Sequence, residues 1–248
     1  MLENKTLKRG GWSAEKRVFS REFGNRACFG MVMESEKQAW RVPEPTLSRL
    51  PWYLAYVKLL SAGGEQFVSS TQIAKATNVD PSQVAKDLSY LKVVGKTRVG
   101  YEIAPLVAEL EVFLGFTTRH TAFLFGVGSL GASLLHDTGL RQYGLEIVAG
   151  FDVRPELVAT RINDIPVYHM DEFPERQAEY GATIGVLTVP VEQAQAVTDR
   201  VVSGGIRALW NFTPFRIRVP EPIVVQDTLL YAHLAVMFNR MNTQNQEI

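Results

Sequence analysis

Three glycines within one short stretch are the residues whose types and spacing point most clearly to chemistry. The stretch reads Phe125-Gly126-Val127-Gly128-Ser129-Leu130-Gly131, a GxGxxG pattern. In such a pattern the first glycine permits a tight turn, the second lets the backbone approach a pyrophosphate, and the third lets a helix pack closely against a strand. A helix that begins here also offers free N–H groups and its positive dipole end to phosphates. The pattern predicts a phosphate-binding turn for a dinucleotide.

A carboxylate follows about 20 residues later, as this fingerprint requires. Asp152 ends the next apolar segment, with Val153 and Arg154 directly after it. An acidic side chain there is placed to hydrogen-bond a ribose diol and to repel a 2′-phosphate, which favours NAD. Arg154 is a cation beside the same ribose and could tolerate NADP, so the preference is left open. The alternative for the whole motif is a glycine-rich turn without a ligand.

Two later turns are candidates for the nicotinamide side of the site. Ligands of open parallel sheets lie outside the carboxyl ends of the strands. Two predicted strands end in polar turns, which are Thr188-Val189-Pro190 and Asn211-Phe212-Thr213. For each of these residues an ordinary turn is an equally good interpretation.

The elements that must position these residues alternate between strand and helix across residues 119–226. Apolar segments predict strands over Thr121–Val127, Leu145–Phe151, Ala182–Val189 and Ile206–Asn211, with shorter pieces at Pro166–Val167 and Val219–Val225. Helices are expected over Leu130–Asp137 and Val191–Ser203. This order is typical of a Rossmann-like parallel sheet covered on both faces. Residues 227–248 predict a final helix over Thr228–Met241, whose apolar stripe is too large to remain exposed and indicates a partner subunit.

Residues 42–118 show a different pattern, of short helices followed by a basic β-like segment. Thr46 is expected to cap a first helix, Ser70 or Thr71 a second, and Asp80 a third that runs from Ser82 to about Leu91. Two short helices joined by a tight turn indicate a helix-turn-helix, and residues 93–101 resemble a wing. A last helix is expected over Pro105–Phe116. The residues expected to contact DNA are Ser82, Gln83, Lys86, Ser89, Tyr90, Lys92, Lys96 and Arg98.

Composition narrows the class of protein. The chain has 248 residues, 46% hydrophobic and 21% charged, which is typical of a globular protein with about two domains. Its single cysteine and four scattered histidines predict neither a disulfide within the chain nor a metal site. We found neither an apolar run long enough to span a membrane nor a signal-peptide pattern, so a cytoplasmic protein is expected. Residues 1–41 are interpreted as an irregular basic extension.

Taken together, these segments resemble the Rex family of redox-sensing transcriptional repressors, from Val42 to about Met241. The strings that carry the resemblance are Val42-Pro43-Glu44, Leu47-Ser48-Arg49-Leu50, Gln83 to Tyr90, Val99-Gly100-Tyr101, the GxGxxG, Phe151-Asp152-Val153, Leu187 to Pro190, Asn211 to Pro214, and Gln226-Asp227. The resemblance implies a homodimer that senses NAD⁺ and NADH, binds double-stranded operator DNA through winged helices, and is released when NADH rises. It implies no catalytic residue.

The sequence departs from the family pattern at positions linked to switching. The resemblance assigns Asp227 to charge contacts that change with the redox state of the cofactor. The usual arginine and tyrosine companions of that aspartate are Ala55 and Asp137 here. The alternative to a redox-sensing repressor is therefore a paralogue with altered switching or DNA specificity. An NAD-dependent enzyme is a more distant alternative, since no proton donor and no substrate domain are evident.

Overall fold

A computed structural model describes residues 42–244, which form two compact units dividing after Ile103. The division falls at the start of the helix Ile103–Phe113, which the sequence analysis placed within the winged-helix region 42–118. The predicted domain limits at 118/119 and 226/227 stay predictions. The basic extension predicted for residues 1–41 lies outside the described residues. Within the described part, no helix combines the length and the apolar character needed to cross a membrane.

The first unit is a small helical bundle with a two-stranded sheet. Its helices are α1 (Glu44–Ala62), α2 (Ser70–Thr77) and α3 (Pro81–Leu88), and its strands are β1 (Phe67–Val68) and β2 (Tyr101–Glu102), which pair antiparallel. Ser69 and Gln72 form a reciprocal capping box at α2, and the Asp80 carboxylate accepts from the Ser82 N–H at α3. The predicted helix-turn-helix is therefore present, with Asp80 as the cap of its second helix.

Several predicted helix limits in this region were wrong. The first helix begins at Glu44 after Pro43, and Thr46 is a buried residue inside it rather than its cap. The third helix ends at Leu88 instead of Leu91, because Ser89 caps it with its hydroxyl on the Lys86 carbonyl. The helix predicted over Pro105–Phe116 is α4, which spans Ile103–Phe113 and belongs to the second unit from Ala104 onward.

One buried carboxylate connects α1 with α3. Asp87 accepts hydrogen bonds from Thr46 Oγ1 (2.9 Å), Arg49 Nε and Nη2 (2.7 and 2.8 Å), Tyr53 Oη (2.8 Å) and Gln83 Nε2 (2.8 Å). Burial alone would raise the pKa of Asp87, but these donors outweigh it and lower the pKa to about 2. Burial, together with the hydrogen bond to Asp87, raises the pKa of Tyr53 to about 12. The motif residues Arg49 and Asp87 thus hold α3, the second helix of the helix-turn-helix, against α1.

The second unit is a seven-stranded sheet with helices packed against it. The strand order is β5-β6-β4-β3-β7-β8-β9, parallel except for the β5–β6 hairpin. The strands are β3 (His120–Phe125), β4 (Leu145–Asp152), β5 (Arg161–Ile162), β6 (Ile165–His169), β7 (Ile184–Leu187), β8 (Ala208–Asn211) and β9 (Val224–Asp227). The remaining helices are α5 (Ser129–His136), α6 (Gly139–Gln142), α7 (Phe173–Tyr180), α8 (Ala194–Ser203) and α9 (Leu230–Gln244). The Rossmann-like parallel sheet is confirmed.

Aromatic side chains fill the core on one face of this sheet. Phe123, Phe125, Phe151 and Phe173 are fully or almost fully buried, and most of their ring pairs meet edge to face. Phe173 opens α7, a helix that the sequence analysis missed because its other residues are mainly polar. Its ring anchors that helix over the strands whose ends form the candidate site.

The carboxylate of Asp87 generates a stability prediction. Asp87→Asn should destabilise the first unit by about 3 kcal/mol, because the buried Tyr53 hydroxyl and the partly buried Arg49 guanidinium would lose their charged acceptor. The measurement is hydrogen exchange of the amides of α1 and α3, which reports opening of this unit directly. The matched control is Asp80→Asn, which should change stability by only a few tenths of a kcal/mol because asparagine caps helices as well as aspartate does.

Asp87→Asn should also make the free energy of unfolding depend less on pH in the acid range. The pKa of Asp87 is lower when folded (about 2) than its ordinary value of 3.8. Its contribution is therefore complete above about pH 4 and is lost as pH falls through about 2, which removes roughly 2 kcal/mol. Urea unfolding of both forms at about pH 5 and about pH 2 measures the difference. Equal acid sensitivity of the parent and Asp87→Asn would contradict the assignment.

Candidate functional site

A cavity of about 530 Å³ lies at the carboxyl ends of the central strands of the second unit. The predicted ligand residues that line it come from the ends of β3, β4 and β7. The full lining is Phe125, Gly126, Gly128, Phe151, Asp152, Val153, Arg154, Met170, Thr188, Val189, Pro190, Gln193 and Val197. This is where an open parallel sheet binds its ligands, because the helices that follow the neighbouring strands β3 and β7 pack on opposite faces of the sheet.

The glycine turn at the end of β3 has the geometry that the fingerprint requires. Gly126 has φ +92°, and a Cβ there would lie 2.8 Å from the Thr188 carbonyl oxygen. A Cβ at Gly131 would overlap the Gly126 carbonyl oxygen, whereas a Cβ at Gly128 would meet open space. Gly128 is the N-cap of α5, so Ser129 and Leu130 form the first turn of that helix. The turn is therefore open at Gly128 and closely packed at the other two glycines.

The Thr188 hydroxyl fixes this turn to the neighbouring strand. Its Oγ1 donates toward the carbonyl oxygens of Gly126 (2.6 Å) and Phe125 (3.1 Å). The role of Thr188 on the nicotinamide side stays a prediction, whereas the structure shows that it links the ends of β3 and β7.

Asp152 lies at the predicted place, but its carboxylate is already occupied. It accepts from the backbone N–H groups of Val127 (2.7 Å), Val153 (2.9 Å) and Arg154 (3.0 Å). It also pairs with the Arg154 guanidinium, through Nε and Nη2 at 3.1 Å each. Burial alone would raise the pKa of Asp152, but the bonds from Arg154 and Val127 outweigh it and lower the pKa. The carboxylate is ionised and holds the glycine turn through Val127.

The turn after β8 is an internally bonded unit that does not line the cavity. Asn211 Oδ1 accepts from the Thr213 N–H (3.0 Å) and hydroxyl (2.7 Å), and Asn211 Nδ2 donates to the Asp227 carboxylate (2.7 Å) and the Phe215 carbonyl. The Phe212 ring packs against Trp210 instead. These contacts match the ordinary-turn alternative. The ligand role predicted for Asn211, Phe212 and Thr213 stays a prediction.

Sequence reasoning missed five residues that line the cavity. They are Phe125, Phe151, Met170, Gln193 and Val197. The two phenylalanines are the last apolar residues before Gly126 and Asp152, so the strand ends already implied their position. Met170 and Gln193 lie in short 3-10 turns, for which the sequence carries no clear signal.

The predicted DNA-contacting residues fall on α3, on the segment that follows it and on the tight turn before β2. Ser82, Lys86, Ser89, Lys92, Lys96 and Arg98 are exposed, while Gln83 and Tyr90 are half-buried. Residues 97–99 form the tip of a turn closed by the Lys96–Gly100 bridge, where Arg98 has φ +64°. The wing is therefore a short turn, with Arg98 at its tip.

Several of these candidates make contacts within the first unit. The Gln83 amide donates to Asp87, the Ser82 hydroxyl to Asp80, and the Ser89 hydroxyl to Lys86. Lys96 pairs with Glu102 and lies over the Phe67 ring. By contrast, Lys86 and Arg98 make no ion pair with another described residue. These two cations are the ones best placed to meet a polyanion.

The three positions that the family resemblance links to switching lie in separate local surroundings. Ala55 is an exposed residue of α1, and the Asp137 carboxylate accepts from the Leu140 N–H beyond the end of α5. The Asp227 carboxylate accepts from Asn211 at the carboxyl edge of the sheet. Neither Ala55 nor Asp137 supplies a positive charge for Asp227.

Family comparisons match both parts of the chain. A family described as "Putative DNA-binding protein N-terminus" matches residues 41–89, and one described as "CoA binding domain" matches residues 117–215. Crystal structures of RSP, a Rex-family repressor, are similar over 84% of this chain. The complex with β-NAD⁺ and operator DNA is 28% identical, with a TM-score of 0.78 and 95% of its own chain covered. The complex with β-NADH is 27% identical, with a TM-score of 0.75 and 97% of its own chain covered.

Curated relatives are much closer in sequence. The redox-sensing transcriptional repressor Rex of Bacteroides fragilis is 66% identical over 206 residues, covering 83% of this chain and 94% of the relative. Rex of Porphyromonas gingivalis is 61% identical over 210 residues, covering 85% and 96%. With the helix-turn-helix and the glycine fingerprint both in place, the chain belongs to the Rex family of redox-sensing transcriptional repressors.

Proposed function

We propose that this chain is an NAD(H)-binding transcriptional repressor that binds operator DNA as a homodimer and releases it when NADH rises. The observation that carries the proposal is a dinucleotide turn, open only at Gly128, in a chain that also contains a helix-turn-helix with exposed cations. The relatives named as repressors, and the RSP complexes with β-NAD⁺, β-NADH and operator DNA, support it. The protein acts as a sensor rather than as an enzyme.

The cavity and the start of α5 provide the two halves of a dinucleotide site. The pyrophosphate lies over Gly128 and the first turn of α5, where backbone N–H groups of residues 129–131 point outward. The adenosine occupies the largely apolar cavity between the ends of β3, β4 and β7. NAD⁺ and NADH supply the redox state as ligands, and the chain's own residues bind and orient them.

The glycines generate a matched pair of variants for this site. Gly128→Ala should fold normally, because its Cβ enters open space and its φ is −75°. It should nevertheless weaken NADH binding at least tenfold, about 1.4 kcal/mol, because the methyl group occupies the phosphate position. Gly131→Ala should instead lower the melting temperature, because its Cβ overlaps the Gly126 carbonyl. NADH fluorescence titration and thermal unfolding measure the two effects, and unchanged affinity in Gly128→Ala would argue against the site.

DNA binding places α3 in the major groove and the turn at Arg98 against the backbone or minor groove. Exposed cations on one helix and one turn are the arrangement that winged helices use. Lys86 is assigned to a base edge or a phosphate, and Arg98 to a phosphate or groove contact. Gln83 is less suited to base readout, since its amide holds Asp87.

The test of the repressor function is operator affinity in the two redox states. A duplex selected from a random pool with NAD⁺ present should bind more weakly with saturating NADH than with saturating NAD⁺. The decrease should stay below tenfold, about 1.4 kcal/mol, because Asp227 lacks the charged companions of a full switch at Ala55 and Asp137. A decrease far above tenfold would show that other residues carry the switch.

Lys86→Ala tests the DNA contact within the same assay. If Lys86 reads a base, the variant should lose about 1–3 kcal/mol and accept more sequences at one position. If it contacts a phosphate, affinity should decrease for all sequences and the salt dependence should become shallower. Arg216→Ala removes one exposed charge from the second unit and serves as the control. If the parent protein itself shows no salt-sensitive binding to any duplex, the alternative of a Rex-like paralogue with altered DNA binding is favoured.

The dimer is supported by the apolar surface of α9. Leu230, Leu234, Phe238 and Met241 lie at spacings of four, four and three residues, and each is about half-exposed in the single chain. Tyr231, Val236 and Met237 are exposed as well, so the helix is apolar around much of its circumference. A patch of this kind on a monomer marks an interaction surface, and two-fold symmetry would present two copies of α3 to a palindrome.

A double substitution tests α9 as the dimer interface. Leu234→Asp with Phe238→Asp should convert the dimer to a monomer of 27.7 kDa, because it places charges within the apolar contact. Asn239→Asp, an equally exposed change on the same helix, should leave the dimer intact. Light scattering after size exclusion gives the mass, and a dimer that survives the double substitution would contradict the assignment.

A further inference from the structure

We propose that Arg154, rather than Asp152, reads the adenosine ribose of the dinucleotide, so that the site accepts a 2′-phosphate and binds NADPH as well as NADH. The inference rests on the nucleotide site proposed above and specifies its ligand class. It concerns the charged pair of Asp152 and Arg154, which lines the cavity at the ends of β3, β4 and β7.

The first step is that Asp152 has no acceptor capacity left for a ribose diol. A carboxylate offers about four lone-pair positions. Five N–H donors already point at this one, three from the backbone of residues 127, 153 and 154 and two from the Arg154 guanidinium. Its side chain is only 7% exposed. A ribose hydroxyl would have to displace one of these donors in order to bind.

The second step is that Arg154 offers donors where Asp152 offers none. Its side chain is 46% exposed and lines the cavity. Nε and Nη2 are used, on Asp152 and on the Val127 carbonyl oxygen (2.9 Å). Nη1 makes none of the hydrogen bonds found among residues 42–244, which leaves its two N–H groups for a ligand. Donors of this kind suit a group that only accepts, such as a phosphate, at least as well as a hydroxyl.

The third step is the charge at the ribose position. An unpaired aspartate would repel a 2′-phosphate, which is the basis of the usual preference for NAD. Here the guanidinium is held against the carboxylate at 3.1 Å, so the pair is close to neutral. Glu156 is the other charged group acting on Arg154, but it is exposed and its field is screened by solvent. The repulsion that would exclude NADPH is therefore largely cancelled.

The experiment measures dissociation constants for NADH and NADPH by fluorescence titration of the full chain. In the parent protein the two values should lie within about tenfold of each other. Arg154→Ala removes the cation and returns Asp152 to an acceptor, so the ratio of the NADPH to the NADH value should rise at least tenfold. Arg154→Lys keeps the charge and should hold the ratio within about threefold of the parent. Arg154→Gln, neutral but still a donor, is the second variant in case alanine loosens the turn.

The outcomes separate this inference from the proposed function. NADH binding with NADPH excluded more than a hundredfold in the parent would overturn the role of Arg154 and leave the NAD(H) site standing. The same would follow if alanine and glutamine weakened both ligands equally, since Arg154 would then only position Asp152. Failure of both nucleotides to bind the parent protein would overturn the nucleotide site itself. The inference is supported if the ratio of the NADPH to the NADH dissociation constant rises in Arg154→Ala and Arg154→Gln but not in Arg154→Lys.

Discussion

A carboxylate removed from water needs hydrogen-bond donors to match it, and one such group organises each unit of this protein. In the first unit, Asp87 takes its donors from α1 and from α3 itself. Directing Asp87 inward fixes the rotation of α3, because each residue turns a helix by about 100°. Lys86 is thereby placed on the exposed side. The surface that would meet DNA is thus set by a buried contact on another side of the same helix.

The second unit applies the same constraint with a different result. Asp152 accepts the Val127 N–H and so holds the glycine turn, as Asp87 holds α3. Its main side-chain partner, however, is a sequence neighbour at the cavity wall instead of a residue on a packed helix. Asp87 therefore makes a rigid internal link, whereas the Asp152 pair remains accessible to a ligand. Asp152, whose acceptor positions are all used, also holds in place the Arg154 guanidinium, which is the cation that a bound nucleotide would contact.

Features that depend on residues close together in the sequence could be predicted from it, whereas features that depend on distant residues could not. The GxGxxG turn, the alternation of strands and helices and the Asp80 cap are set by neighbouring residues, and the structure confirms them. The partners of Asp87 are 34 to 41 residues away, or one helical turn away at Gln83, so Gln83 was assigned to DNA without its competing contact. Helix α7 was missed because a single buried ring, Phe173, carries its packing. The donors that fill the acceptor positions of Asp152 could not be predicted, because residue types and their spacing indicate a carboxylate at the strand end but not the groups that hydrogen-bond to it.

Hydrogen bonds connect the sheet to the start of α9, the helix that we propose as the dimer interface. Two side-chain bonds tie the end of β8 to the chain entering α9, from Asn211 to Asp227 and from the Trp210 indole N–H to the Thr228 hydroxyl. The helix therefore starts from a fixed point at the carboxyl edge where the nucleotide is proposed to bind. A ligand shifts an equilibrium only through contacts that differ between the two states. Positions 55 and 137 supply no cation to pair with Asp227, so in the described residues Asp227 is held by a neutral amide donor, Asn211, and not by a charged partner.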